Sequence, residues 1–179
     1  IYTEDIKHIG VRNKNSSLTK LILKSVARNI CTEADTNTML NDVLAKHKIS
    51  RSTFNNYYEA LERLYIIEDI DAWSPNIRSK TVIRTKSKRN FVDPSLAAAA
   101  LGVGPKYFDN DFKTLGFLFE SLCFRDLKIY SSIYGGEISY YRDNYGLECD
   151  CVLHLDDGRY ALIEFKLGYD NNSIEMAAK

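Results

Sequence analysis

The residues best suited to chemistry in this sequence are Glu148, Asp150, Glu164 and Lys166, with Asp156-Asp157-Gly158 midway between the two pairs. Strand side chains alternate faces, so Glu148 and Asp150 share one face, as do Glu164 and Lys166. A hairpin folded symmetrically about Asp157 sets Asp150 opposite Glu164 and Glu148 opposite Lys166. Its other face reads Cys149, Cys151 and Leu153 against Ala161, Ile163 and Phe165, which is apolar throughout. Carboxylates gathered this closely repel one another unless a proton or a cation joins them. Hard oxygen ligands of this kind suit Mg²⁺ or Mn²⁺.

Hydrolysis of a phosphodiester needs a metal to activate water and shield the phosphate, and a cation to steady the developing charge. Asp150 and Glu164 are the expected metal ligands. Lys166 is expected to reach the attacking water or the scissile phosphate. Glu120, on a preceding helix, can supply a further oxygen. Glu148 and Arg142 are expected beside these groups in supporting positions. The plainer reading of Glu148 and Lys166 is a cross-strand ion pair contributing under about 1 kcal/mol.

The elements that must position these groups follow from periodicity. A lead-in over 1–14, with a short helix around Asp5, precedes three helices at about 17–30, 36–47 and 51–64. The first carries Leu18, Leu21, Ile22, Val26 and Ile30 at helical spacing, with Ser16 and Ser17 as candidate N-caps. Asp35 or Thr36 can cap the second, and Ser50 or Ser52 the third. The third buries Phe54, Tyr57 and Leu61, with Tyr58 at the flank. Residues 65–90 then read as a two-stranded wing, with Ile66-Ile67 in one arm and Thr81-Val82-Ile83 in the other. Three helices and a wing make a winged helix-turn-helix pattern. Its basic residues, Arg78, Lys80, Arg84, Lys86, Lys88 and Arg89, are candidate contacts to duplex DNA. Asp93-Pro94 marks a boundary, so residues 1–90 and 91–179 read as two domains. In the second, an Ala-rich helix over 95–101 precedes an amphipathic helix over 115–129. A strand over 138–141 and the hairpin follow, and a further helix begins near Asn171.

The sequence is 45% hydrophobic and 27% charged, as expected of a soluble globular chain. Its net charge of zero conceals +6 over residues 1–90 and −6 over residues 91–179. A nucleic-acid-facing module joined to a metal-site module would show this split, as would two surfaces that complement one another. No apolar run approaches the roughly 20 residues that span a bilayer, so no membrane partner is expected. Four scattered cysteines point weakly to a reducing, cytoplasmic setting. They lack zinc-site spacing, because no Cys-x-x-Cys pair or suitably placed His occurs. The absence of Met at position 1 and the abrupt close at Ala177-Ala178-Lys179 are expected of a piece of a longer protein.

Asp150, a strand, then Glu164-x-Lys166, with Glu120 on an earlier helix, resembles the PD-(D/E)XK nuclease-like core. Phe91-Val92-Asp93-Pro94-Ser95-Leu96, Leu115-Gly116-Phe117-Leu118-Phe119-Glu120, Tyr141-Arg142 with Glu148-Cys149-Asp150, and Ile163-Glu164-Phe165-Lys166 resemble the C-terminal region of a bacterial and archaeal AAA-type ATPase family of unknown function. The segments Leu61-Glu62-x-Leu64 and Trp73-Ser74-Pro75-Asn76 resemble the winged-helix part of that family. The resemblance spans about residues 1–175. It departs from nucleases generally in having Cys149-Asp150 where they carry Pro-Asp. It implies an α+β or α/β chain: an N-terminal winged helix followed by a restriction-endonuclease-like mixed sheet, truncated at its C-terminus. It also implies an N-terminal ATPase domain in the parent chain. No G-x-x-x-x-G-K-[ST] occurs, so no ATP site of that kind is expected in this piece.

Two functions compete at this level. One is a DNA-associated module with a Mg²⁺- or Mn²⁺-dependent phosphodiesterase site. The other is a non-catalytic regulatory or protein-interaction module that retains the nuclease fold.

Overall fold

A computed structural model of the chain describes residues 15–76 and 78–168. The lead-in over 1–14 and the helix expected from Asn171 lie outside the described residues. The architecture is mixed α+β, with six α-helices among the described residues, a short 3₁₀ helix at Pro105–Asp109 and a three-stranded antiparallel sheet.

Helix α1 (Ser16–Arg28) is capped by Asn15 rather than Ser16 or Ser17. The Asn15 side chain accepts from the Ser17 N–H at 2.9 Å and from Leu18 N–H. An Asn at this position satisfies amides that the first turn leaves open. Helix α2 (Thr36–Leu44) is capped by Asp35 through Thr38 N–H at 2.8 Å. Helix α3 (Arg51–Arg63) is capped by Ser50 through Thr53 N–H at 3.0 Å. Ser50→Ala is therefore expected to cost about 1 kcal/mol in a urea melt, the usual worth of a hydroxyl cap. Apolar residues at helical spacing turn α1 inward against α2, α3 and helix α5 (Pro94–Leu101). Both Tyr57 and Tyr58 are buried, so Tyr58 is not a flank. Its hydroxyl donates to Asp69 Oδ1 at 2.8 Å, which satisfies the polar end of a buried ring.

The wing differs from expectation. Thr81-Val82-Ile83 lies within helix α4 (Lys80–Arg84), not in a strand. Ile83 is 88% exposed there and has no pleated surface to pack against. Packing, more than intrinsic preference, is what makes such a run a strand. The returning arm is instead residues 88–92. Ile70 and Lys88 exchange both backbone hydrogen bonds at 2.9 Å, Glu68 N–H donates to Asn90 O, and Val92 N–H donates to Ile66 O. The boundary expected at 90/91 falls inside this ribbon.

Helix α6 (Phe112–Ser132) begins three residues before the expected span and runs three beyond it, capped by Asp111. It packs on α5 and on strands β1 (Glu137–Arg142) and β2 (Glu148–His154). Strand β3 (Tyr160–Ile163) completes the order β1-β2-β3. All pairing among these three strands is antiparallel. An isolated parallel bridge between Ala72 and Tyr140, with Trp73 N–H donating to Tyr140 O at 2.7 Å, ties the chain after the ribbon's first arm to β1 without adding a strand to the sheet. One hydrophobic core runs from Leu18 and Ile22 through Phe91 to Leu118, Phe124, Tyr140 and Cys151.

Candidate functional site

The hairpin of β2 and β3 turns through Asp157-Gly158. Gly158 has φ of 89°, in the region open to glycine. Arg159 N–H donates to Asp157 Oδ1 at 3.0 Å, which closes the turn locally. The register pairs Leu153 with Ala161 and Cys151 with Ile163. That is the symmetric register about Asp157 read from the sequence. Buried Cys149 and Cys151 lie on the inner face, and Phe165 meets Phe124 of α6 edge to face.

The register brings Asp150 and Glu164 together. Asp150 N–H donates to Glu164 Oε1 at 3.4 Å, and Asp150 Oδ2 accepts from Phe165 N–H at 2.9 Å. Lys166 Nζ donates to Glu164 Oε2 at 2.9 Å. Its ammonium is held above the usual lysine range by that hydrogen bond, with Asp150 and Glu120 contributing from further away. Asp150, Glu164 and Lys166 therefore form one contiguous, partly exposed group.

Glu148 is not paired with Lys166. Its carboxylate lies 3.7 Å from Lys88 Nζ and 3.6 Å from Arg142 Nη1. Arg142 is shared with Glu33, at 2.8 Å. The cross-strand pair expected from register fails because β3 ends at Ile163 and Lys166 meets Glu164 in the segment that follows, while Lys88 enters from the ribbon.

Glu120 projects from α6 to the inner end of the group, where Lys88 Nζ donates to its Oε1 at 2.8 Å. The Lys88 side chain is only 4% exposed and that of Glu120 15%. Lys88 also lies over the Tyr140 ring, 5.2 Å from its centroid. Burial alone would lower the Lys88 pKa. Glu120, Glu148 and Asp150 together outweigh burial and raise it, so the ammonium is charged. Burial raises Glu120, Lys88 opposes that, and Asp150 and Glu148 add to it, leaving a net upward shift.

The six basic residues expected on one nucleic-acid face separate into two sets. Arg78, Lys80 and Arg84 are exposed, beside or within α4. Lys88 is buried among carboxylates and cannot reach a phosphate from the surface. Arg89 pairs with Asp69 and donates through Nε to Ala34 O at 2.8 Å. Lys86 pairs with Asp35 at 3.3 Å in an exposed setting. Inward-turned and paired cations have partners in place of phosphates.

Sequence reading missed that Lys88 belongs to the acidic group. Period two carries Lys88 and Asn90 to one face of the ribbon. There they meet Glu120 and Ser121 of α6, with Ser121 Oγ donating to Asn90 Oδ1 at 2.7 Å. Both residues are polar, so no hydrophobic alternation marks that face as the inner one.

Among the described residues, no group of three or more His, Cys, Asp or Glu side chains is arranged to hold a metal ion. Asp150 and Glu164 remain as a two-carboxylate pair. Mg²⁺ commonly binds through one or two carboxylates, retains several waters and takes its other oxygens from substrate phosphate. The pair matches that number of carboxylates, and Lys166 holds Glu164 at 2.9 Å as Lys88 holds Glu120 at 2.8 Å, so either glutamate would exchange a lysine partner for an ion. Among the described residues, no helix is long and apolar enough to cross a membrane.

The family described as Domain of unknown function (DUF8612) matches residues 1–107, and the one described as Domain of unknown function (DUF4143) matches residues 115–178. No curated protein and no solved structure matches the chain. The interval between the two family matches, residues 108–114, leads into the first turn of α6, and all the carboxylates of the acidic group lie beyond it.

Proposed function

The chain belongs to the DUF8612 family of domains of unknown function, and from that premise we propose that it is a DNA-associated, nuclease-like module from the C-terminal part of an ATPase chain. In this reading α1, α2, α3 and the ribbon form a winged helix, and the described residues after the ribbon, 93–168, belong to a PD-(D/E)XK-like domain. The observation that carries the reading is the approach of Asp150 to Glu164 with Lys166 hydrogen-bonded beside them. Asp150 and Glu164 would hold Mg²⁺ or Mn²⁺, which when bound supplies Lewis acidity and an acidified water. Lys166 holds a positive charge beside Glu164, where it can steady an anionic phosphate. Arg78, Lys80 and Arg84 supply the exposed cations that a duplex would meet. A cytoplasmic setting suits four cysteines that form no disulfide.

The test is cleavage of plasmid DNA, and of RNA, with Mg²⁺ or Mn²⁺. Asp150→Ala and Lys166→Ala are each expected to reduce cleavage by about 10²-fold or more, the scale on which an electrostatic group contributes to a transition state. Equal cleavage by wild type and both variants, or none by any of them, would refute the catalytic part.

A second reading is favoured by one observation, the pairing of Glu120 and Glu148 with the buried Lys88. An acidic group stabilised by an internal lysine suits a non-catalytic interaction module that retains the nuclease-like fold. DNA affinity separates the two. Binding that falls steeply with salt, and weakens in Lys80→Glu and Arg84→Glu, supports the DNA-associated reading. No binding at low salt supports the interaction module.

A further inference from the structure

We infer that the C-terminal end of α6 is a self-association face: Ile129, Tyr130, Ile133 and Tyr134 pack against the same residues of a second copy in a twofold dimer. The surface needs neither a metal nor a nucleic acid.

Four large apolar residues close together in sequence face solvent here: Ile129 is 57% exposed, Tyr130 62%, Ile133 76% and Tyr134 80%. Positions four apart share a helix face, so Ile129 with Ile133, and Tyr130 with Tyr134, make one stripe that runs past the last turn of α6. The backbone beneath it is fixed. Tyr134 N–H donates to Ser131 O at 2.9 Å, Gly135 N–H to Ser132 O at 3.2 Å and Gly136 N–H to Ser131 O at 2.9 Å. Ser131 is buried, and a Cβ on Gly136 would come within 3.0 Å of Ser131 Cβ and 3.2 Å of Leu155 Cδ2, so the exit from the helix is tightly packed. Side chains presented from a fixed backbone lose less freedom when they are covered.

Area and shape select a second copy as the occupant. At these exposures the four residues leave roughly 600 Å² in solvent, the upper end of the apolar patch that a monomer usually shows. Twofold pairing removes that area from both copies, about 1,200 Å² in all, which reaches the range of stable interfaces. Beside the stripe lies a groove of about 360 Å³ lined by Ile70, Phe91, Phe124, Ile129 and Ile138, and by the half-exposed ion pair of Lys128 with Glu68. Ile129 belongs to both stripe and groove. A twofold contact needs projection and recess on one face of the same chain, because each copy supplies both. An antiparallel crossing sets Ile133 of one copy against Ile129 of the other, at the edge of the groove. The net charge of zero imposes no overall repulsion between copies.

Sedimentation equilibrium of the full chain over roughly 1–100 µM tests this, since an interface of such size is expected to give a monomer–dimer equilibrium on the order of micromolar. Ile133→Arg and Tyr134→Arg are each expected to weaken dimerisation about thirtyfold or more, the weight of a residue central to an interface. Both positions face solvent, so the circular dichroism of each variant should match wild type. Tyr145→Arg, at a 96% exposed position in the turn between β1 and β2, is expected to leave dimerisation within about twofold. A chain that stays monomeric throughout overturns the assignment and gives the face to another occupant, a partner protein or a further segment of a longer chain. Dimerisation that survives unchanged in Ile133→Arg and Tyr134→Arg overturns it by placing the interface elsewhere. Association that Tyr145→Arg weakens as much as Ile133→Arg does overturns it as well, because nonspecific adhesion of exposed apolar side chains then accounts for the contact.

Discussion

Replacing Lys88 by methionine is expected to lower unfolding free energy by about 3–5 kcal/mol, the usual cost of stranding one member of a buried ion pair. The stranded group is Glu120, held in a mostly enclosed position on α6 with Asp150 and Glu148 nearby. The double variant Lys88→Met with Glu120→Leu removes both charges and is expected to recover most of the loss. A pair replaced by apolar groups of similar volume is often neutral in stability. The single variant also has a pH signature. Burial and neighbouring carboxylates already hold Glu120 above its ordinary range, and loss of Lys88 raises it further. A carboxyl whose folded pKa lies above its unfolded value binds more protons in the native state. Stability then rises as pH falls through the folded pKa. The deficit of Lys88→Met relative to wild type should therefore shrink from pH 7 toward pH 5, in matched urea melts. A deficit under about 1 kcal/mol, or one that widens on acidification, would show that the pair is not an enclosed one.

The second large effect is expected at Phe91. It is fully buried, pairs with Ile67 across the ribbon, and lies in the core that α1, α5 and α6 share. Phe91→Ala is expected to cost about 3–5 kcal/mol, combining lost transfer energy with an incompletely collapsed cavity. Ile83→Ala, at an 88% exposed position on α4, should stay within about 0.5 kcal/mol of wild type. Because one core serves residues before and after 91, Phe91→Ala should shift a single cooperative transition when helix content and tryptophan fluorescence are followed together. Two separated transitions, with only one displaced, would mean that the segments fold independently.

The charge asymmetry along the chain acquires a partial explanation. The basic first half and acidic second half meet directly: Lys88 reaches Glu120 and Glu148, and the reverse pairing joins Arg142 to Glu33 and Lys128 to Glu68. Part of the positive excess therefore complements the other half. Arg78, Lys80 and Arg84 remain on the surface as the cations that a nucleic-acid partner could use.

Local chemistry was legible from sequence alone. The hairpin register followed from period-two alternation and Asp157-Gly158, so the meeting of Asp150 with Glu164 could be read from spacing. The three N-terminal helices followed from apolar spacing, and the Asp35 and Ser50 caps from side chains that accept from early amides. These features depend on neighbours a few residues away. The return arm of the ribbon depended instead on which residues could face Ile67 and Ile70 across a long excursion. Intrinsic strand preference favoured residues 81–83, but tertiary pairing selected 88–92. Lys88 shows the same division. Its basic neighbours and its place in the sequence suggest a solvated face, and the fold instead turns it toward Glu120. Sequence placed Asp150 beside Glu164 with Lys166 next to them, but it set Glu148 opposite Lys166, where the structure has Glu148 near Lys88 and Arg142. The tertiary structure decided which of their charges are already neutralised, because the neutralising lysine comes from 32 residues before Glu120 and through a different element.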